Sequence, residues 1–84
     1  MARMRVLSAR GDTVLEWDER KLQTGDPEAL AAVREAERIF REALVRGDVP
    51  FAIDADKAPE KLERWDTRAK EAEEIVIAPR LMGG

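Results

Sequence analysis

EEIVIAPRLMGG, the sequence of residues 73–84, contains a segment that is apolar on both faces of a strand. Ile75 and Ile77 point to one face, and Val76 and Ala78 point to the other, because successive side chains of a strand alternate. A strand that is apolar on both faces is typical of the centre of a sheet. We therefore expect a sheet whose central strand ends near Ala78 and is followed by a proline and, further on, by two glycines.

The clearest single element of the sequence is a helix. Asp26 can cap the first N–H groups, Pro27 suits the first helical position, and Gly47 supplies a stop. These signals predict a helix over residues 27–46, about 30 Å long at 1.5 Å per residue. At 100° per residue, one half of its circumference is apolar apart from Glu37 and comprises Ala29, Leu30, Ala32, Val33, Ala36, Ile39, Phe40, Ala43 and Leu44. Such a helix packs flat against another layer, and the hairpin that precedes it in the sequence is the expected surface.

A hairpin is expected before the helix. Residues 4–9 and 13–18 each alternate with a period of two, and Arg10-Gly11-Asp12 supplies a turn between them. Trp17 is expected in the core of so small a domain. Arg-Gly-Asp occurs again at residues 46–48. This tripeptide is a known adhesion ligand, but here we interpret Gly-Asp as part of a turn, because both residue types favour turns.

The remaining segments give weaker signals. Residues 18–27 show no period and are expected to form a connection that ends in a turn. Phe51 and Ile53 alternate with smaller or polar residues and indicate a short strand. Residues 59–74 leave two interpretations open: a second helix, favoured by composition, or an edge strand that buries Leu62, followed by a charged turn.

Length and composition limit the classes of function. A chain of 84 residues forms one domain, and the absence of cysteine excludes a disulfide framework and a thiolate zinc site. The net charge of −3, with arginines and lysines interleaved among acids, is not the clustered basic footprint of a nucleic-acid binder. No apolar run approaches the roughly 20 residues that cross a bilayer, and no secretion signal is evident, so no membrane contact and a cytoplasmic location are expected.

Catalysis by this chain alone is not expected. The sequence has no histidine, cysteine or tyrosine, and its remaining polar residues show no recognisable pair of base and nucleophile. Asp54 and Asp56, with Asp48 nearby, could supply oxygen ligands, but their spacing lacks the glycine and closing glutamate of a calcium loop. A solvated turn is the preferred interpretation, and no metal or cofactor is expected.

The order of elements and the final twelve residues together resemble the β-grasp group, which includes ubiquitin, the small subunit of molybdopterin synthase and the thiamine-pathway sulfur carrier. Residues 73–79 resemble the strand that ends the sulfur carriers, and residues 80–84 resemble the diglycine tail of ubiquitin. The resemblance implies an α+β fold, a β-grasp-like mixed sheet crossed by one long helix, with the final strand parallel to the first. It also favours the strand near Leu62. The expected division is a single domain over residues 1–82 and an exposed diglycine tail over residues 83–84.

The resemblance implies a function for the tail. In these families an ATP-dependent activating enzyme adenylates the terminal carboxylate, which then becomes a thiocarboxylate, a thioester or an isopeptide with an acceptor protein. Glycine lacks a Cβ, so a diglycine end can enter a channel where any side chain would clash. Gly84 would carry the reactive carboxylate and Gly83 would provide clearance, while Arg80, Leu81 and Met82 would form the arm. Sulfur donation and conjugation are not distinguished.

A second function remains open beside this one. The chain could be a non-catalytic interaction or assembly subunit whose diglycine end is incidental, because termini are commonly disordered. Trp65, in an otherwise charged stretch, is then the candidate contact for a partner, since tryptophan is enriched at binding hot spots.

Overall fold

The computed structural model describes residues 1–8 and 10–80. The chain forms a single small α+β domain in which one long helix packs across a mixed sheet of five strands, as the sequence predicted. The elements in chain order are β1 (Ala2–Val6), β2 (Thr13–Trp17), α1 (Glu19–Gln23), α2 (Pro27–Arg46), β3 (Val49–Ile53), β4 (Glu60–Lys61), α3 (Thr67–Glu71) and β5 (Glu74–Ala78).

The last strand of the chain lies at the centre of the sheet. The strand order is β2-β1-β5-β3-β4, so the expectation of a central strand near Ala78 is confirmed. β5 runs parallel to β1 and antiparallel to β3, while β1 and β2 form the expected antiparallel hairpin. A parallel neighbour for the final strand is the arrangement that the β-grasp resemblance implies.

The long helix α2 has the bounds that its sequence signals predict. The Asp26 carboxylate accepts a hydrogen bond of 3.1 Å from the Ala29 N–H, and Pro27 occupies the first turn. At the other end Gly47 adopts a left-handed conformation with φ of 86°, which glycine reaches without the steric cost of a Cβ.

The core lies between α2 and one face of the sheet, called here the inner face. Phe40, Met4, Ile75 and Ile77 are the largest side chains that are almost fully enclosed there, together with Pro50. Trp17 is 4% exposed, so its predicted core position is confirmed. The opposite, outer face of the sheet is not covered by α2.

Two expectations for the smaller elements are wrong. Residues 18–27 contain α1, whose first turn is capped by Asp18 through the N–H of Arg20 at 2.9 Å. A helix of five residues is too short for a 3.6-residue period to show in the sequence. The charged turn expected after Leu62 is also wrong, because Asp66 accepts a hydrogen bond from the Ala69 N–H and starts α3.

The strand expected near Leu62 is confirmed in a short form. β4 comprises only Glu60–Lys61 and pairs with β3 at the edge of the sheet. Leu62 follows it, is 5% exposed and joins the core, and its N–H donates to the Pro50 carbonyl at 2.9 Å.

The predicted boundary between a domain over 1–82 and a tail over 83–84 lies outside the described residues. Among residues 1–8 and 10–80, no helix is long and apolar enough to span a bilayer.

Candidate functional site at the end of the central strand

The backbone pairing between β3 and β5 ends at Val49 and Ala78. Backbone groups alternate sides along a strand, and Glu73 and Ile77 accept from the β1 side. After Ala78, the next N–H on the β3 side is therefore that of Arg80. It donates to Oδ1 of the Asp48 side chain at 3.1 Å. A side-chain carboxylate thus continues the connection between these two segments after the ladder stops.

The end of α2 places Asp48 at this point. The N–H of Gly47 donates to the Leu44 carbonyl at 3.1 Å, and the N–H of Asp48 donates to the Ala43 carbonyl at 2.9 Å. This pair of bonds is the Schellman arrangement, which requires the left-handed residue that Gly47 supplies. The backbone of Asp48 is therefore fixed on α2, and its side chain points toward β5.

The carboxylate of Asp48 is held in its charged form. Its pKa lies below the usual range, first because the Arg80 backbone N–H donates to it and second because the Arg46 side chain donates to it. The Nε of Arg46 lies 3.1 Å from Oδ2. The Arg80 side chain lies across Gly47, where a Cβ would come within 3.1 Å of the Arg80 Cδ.

An apolar groove lies beside this contact. It has a volume of about 510 Å³ and is lined by Val49, Phe51, Ala78, Pro79 and Arg80. We call it the outer groove, because these strand residues alternate with the buried Pro50 and Ile77 and therefore lie on the face that α2 does not cover. An apolar groove of this size with a cation at one end is suited to a side chain or short segment of a partner protein.

A group of paired charges lies on the outer face next to the groove. Glu74 Oε2 lies 2.9 Å from Arg3 Nε and 3.3 Å from Arg5 Nη2. These three residues carry one net positive charge on the strands next to the outer groove.

A second depression, of about 300 Å³, lies at the opposite end of β3. It is lined by Asp54, Ala55, Asp56, Lys57, Arg68, Glu71 and Glu73. Asp54 accepts from the Glu73 N–H at 3.0 Å and from Arg68 Nη2 at 2.7 Å, and both bonds lower its pKa, the bond from Glu73 more strongly. Asp54, Arg68 and the Glu73 N–H thus bind one another, and this arrangement joins the loops at that end of β3.

Among the described part of the chain, no three His, Cys, Asp or Glu side chains gather into a metal-binding group. Asp48 and Asp54, which the sequence placed among candidate oxygen ligands, lie just before and just after β3 and hold different backbone N–H groups. Both carboxylates are thus engaged in hydrogen bonds within the fold.

The predicted tail is described only in part. Arg80 lies at the exit from β5, while Leu81, Met82, Gly83 and Gly84 lie outside the described residues. Trp65 is half-buried, and its ring meets Phe40 edge to face with centroids 5.3 Å apart. Its indole N–H is buried and has no hydrogen-bond partner among residues 1–8 and 10–80. A role for Trp65 as a partner contact stays a prediction.

Sequence reasoning missed the role of Asp48. The available signal was local: an aspartate directly after a helix-ending glycine, in a segment leading into a strand. What the sequence could not supply was the register between β3 and β5, which brings this aspartate to the Arg80 N–H.

No known protein family matches the sequence, and no curated protein or solved structure matches the chain. The geometry described above and the resemblance of the final residues are therefore the grounds on which a function can be proposed.

Proposed function

We propose that this chain is a ubiquitin-like protein, either a protein modifier or a sulfur carrier, whose Gly84 carboxylate is activated by an ATP-dependent partner enzyme. In the first step a carboxylate oxygen attacks the α-phosphorus of ATP and pyrophosphate leaves. A sulfur or amine nucleophile then displaces AMP from the acyl adenylate, which gives a thiocarboxylate, a thioester or an isopeptide. The chain itself supplies the carboxylate and the docking surface, and the partner supplies the catalytic groups.

One observation carries the proposal: the chain leaves the sheet from its central strand. β5 lies between β1 and β3 and is parallel to β1, in the order β2-β1-β5-β3-β4, with α2 across the inner face. This is the arrangement in which β-grasp proteins present a terminal segment. A strand with two bonded neighbours is a rigid base, so the segment that follows it starts from a fixed position.

The outer groove supports the same proposal. It lies directly beside Pro79 and Arg80, and its apolar lining is accessible on the uncovered face of the sheet. A partner that docks in this groove would contact the fold and the start of the terminal segment together. Binding energy from a surface remote from the reacting carboxylate can then orient that carboxylate in the enzyme.

The proposal is tested by intact-mass spectrometry of the purified protein, which first establishes that Gly84 ends the mature chain. The protein is then incubated with ATP and a lysate of its source cells. We expect either a covalent conjugate or the mass gain of an oxygen-to-sulfur exchange, and we expect neither without ATP. Deletion of Gly83-Gly84 should abolish the change.

Val45→Ala serves as the matched control variant, because Val45 is 88% exposed on α2 and lies outside the outer groove. It should be modified as the wild type is. The proposal is wrong if the mass is unchanged in the presence of ATP, or if deletion of the two glycines leaves the modification intact.

The outer groove also favours the second candidate, a non-catalytic assembly subunit, because an apolar groove on an uncovered sheet face is suited to protein contact. Deletion of Gly83-Gly84 separates the two candidates, because both would use the outer groove. An assembly subunit should keep its partner after this deletion and lose it with Phe51→Ser, as measured by co-purification and size-exclusion chromatography.

A further inference from the structure

Asp48 connects the end of the long helix to the last described residue of the chain. Its backbone N–H is bound to α2, and its carboxylate is shared between the Arg46 side chain and the Arg80 backbone N–H. The contact with Arg80 spans 32 positions of sequence and is made by a side chain that is only 20% exposed.

We propose that Asp48 is a positioning residue for the last described residues of the chain: its carboxylate fixes the backbone at Arg80. This inference rests on the proposed function, because the position of Arg80 matters when an enzyme must receive the residues that follow it in the sequence. It adds to that function a residue that holds Pro79 and Arg80 in place.

The backbone pairing between β3 and β5 ends at Val49 and Ala78. Glu73 and Ile77 accept hydrogen bonds from the β1 side, and backbone groups alternate along a strand, so the next N–H on the β3 side is that of Arg80. Without Asp48, the connection between the two segments would end at Ala78. With Asp48, the backbone is held two residues further, as far as Arg80. The bond has a charged acceptor, and such bonds are stronger than those between neutral groups.

The length of chain beyond the contact with Asp48 also matters. Four residues follow Arg80 in the sequence, and at about 3.3 Å per residue they extend at most about 13 Å. Release of Pro79 and Arg80 would lengthen the segment to six residues, or about 20 Å. The partner enzyme would accept the carboxylate at a set distance from the outer groove. A segment of about 20 Å would reach that position less often than one of about 13 Å, and misplacement of a reacting group by even 1 Å can strongly lower the rate of reaction.

The Asp48 carboxylate is itself held in one orientation by Arg46. Arg46 donates to Oδ2, so the carboxylate is oriented with Oδ1 toward Arg80. An asparagine could still accept from the Arg80 N–H through its carbonyl, but it would lose the ion pair with Arg46. Asp48→Asn should therefore keep part of the function that Asp48→Ala loses.

The first experiment measures amide hydrogen exchange at Arg80 by NMR on the full chain. Asp48→Ala should speed exchange at Arg80 about tenfold or more, and Asp48→Asn should give an intermediate rate. The amide of Ile77, in the middle of the sheet, should keep its rate and report an intact fold. Asp12→Ala is the matched control, because Asp12 lies in the other Arg-Gly-Asp and is exposed.

The second experiment compares how fast the same variants are modified by lysate and ATP. We expect Asp48→Ala to be modified several-fold more slowly than wild type, with Asp48→Asn between them and Asp12→Ala unchanged. Urea unfolding of each variant shows that the ordering does not follow global stability.

Unchanged exchange at Arg80 in Asp48→Ala would overturn the inference, and so would faster exchange with an unchanged rate of modification. In the latter case the proposed function stands and only the positioning role fails. If the wild type is not modified at all, the proposed function fails and the positioning role fails with it, while the exchange rates still report whether Asp48 holds Arg80.

Discussion

At the scale of the residue, Asp54 joins three segments of the chain through one carboxylate. Oδ1 accepts from the Glu73 N–H just before β5, and Oδ2 accepts from Arg68 of α3, which also lies 3.0 Å from Glu60 of β4. These polar bonds join segments that also contribute Ala69 and Ala72 to the core.

Replacement of Asp54 by alanine should therefore lower the free energy of unfolding by about 1–3 kcal/mol, because the Glu73 N–H loses its acceptor. Urea unfolding at pH 7 measures this loss. Asp56→Ala is the control: Asp56 is an exposed residue of the same loop and should change stability by less than about 0.5 kcal/mol. Equal losses in the two variants would contradict the assignment.

The same carboxylate predicts a dependence on pH. The pKa of Asp54 in the folded state lies below its unfolded value, so its contribution is complete above about pH 4 and is lost as the pH falls through the folded pKa. Urea unfolding from pH 6 to pH 2 should show a weaker acid dependence in Asp54→Asn than in wild type. Parallel curves for the two proteins would exclude this contribution.

Substitution of Gly47 and of Gly25 by alanine allows the cost of backbone strain to be compared with and without a contact to the Arg80 side chain. Both have left-handed φ angles, 86° and 80°, but a Cβ on Gly25 would meet no atom within 4 Å, whereas one on Gly47 would meet the Arg80 side chain. Each change to alanine should cost about 1–2 kcal/mol from the backbone alone. Only Gly47→Ala should also shift the Arg80 Nε–H resonance, and a shift of equal size in Gly25→Ala would refute the contact.

At the scale of the element, α2 covers the core, and its bounds are the part of the fold that the sequence predicts best. Its bounds follow from Asp26, Pro27 and Gly47, because caps and stops act within a few residues of the helix. The ion pair of Glu37 with Arg41 is likewise local, at 2.6 Å. Local signals of this kind are readable from the sequence without knowledge of the fold.

Phe40 is the side chain through which α2 stabilises the rest of the domain. It is fully buried and lies edge to face with Trp65, two residues before the start of α3. Phe40→Leu should lower the free energy of unfolding by about 1–2 kcal/mol through lost packing. Val45→Ala on the exposed face of the same helix should stay within about 0.5 kcal/mol of wild type, as judged by urea unfolding. A larger loss in Val45→Ala than in Phe40→Leu would contradict this view of the core.

The shorter elements mark where prediction from sequence fails. α1 has five residues and shows no readable period, while the five residues of α3 lie in a segment whose sequence allows either a helix or a strand followed by a turn. The pair Asp66-Thr67 looks like an interruption in a helical pattern, yet Asp66 caps the start of α3. Asp66 acts as a helix cap when residues 60–61 form a strand with β3, and as an interruption when they belong to a longer helix. The pairing with β3 that decides between the two is set by the tertiary structure.

At the scale of the whole molecule, the sheet has a well-supported centre and weak edges. β5 is bonded on both sides, whereas β4 has two residues and one neighbour. Native-state hydrogen exchange should therefore be slowest in β5 and faster by about a hundredfold or more in β4, since central strands open only with global unfolding. NMR exchange rates measure this order, and equal protection of β4 and β5 would contradict it.

The global arrangement was predictable where both faces of a strand are apolar, as at Ile75 to Ala78. It was not predictable where two segments meet through a polar bond across the chain, as at Asp48 and Arg80. The hydrophobic pattern gives the place of β5 in the sheet, but a carboxylate shows in the sequence only as one of 18 acidic residues. The site at the end of β5 thus required the register between β3 and β5.

The parallel pairing of β1 with β5 has a practical consequence for constructing fusion proteins. Because both strands run in the same direction, Met1 lies at the end of the sheet where β5 begins, and Arg80 lies at the end where β5 finishes. Five residues at about 3.3 Å each separate the two ends by roughly 17 Å. An affinity tag or fluorescent protein joined before Met1 will therefore project away from Arg80 and leave that end of the domain accessible.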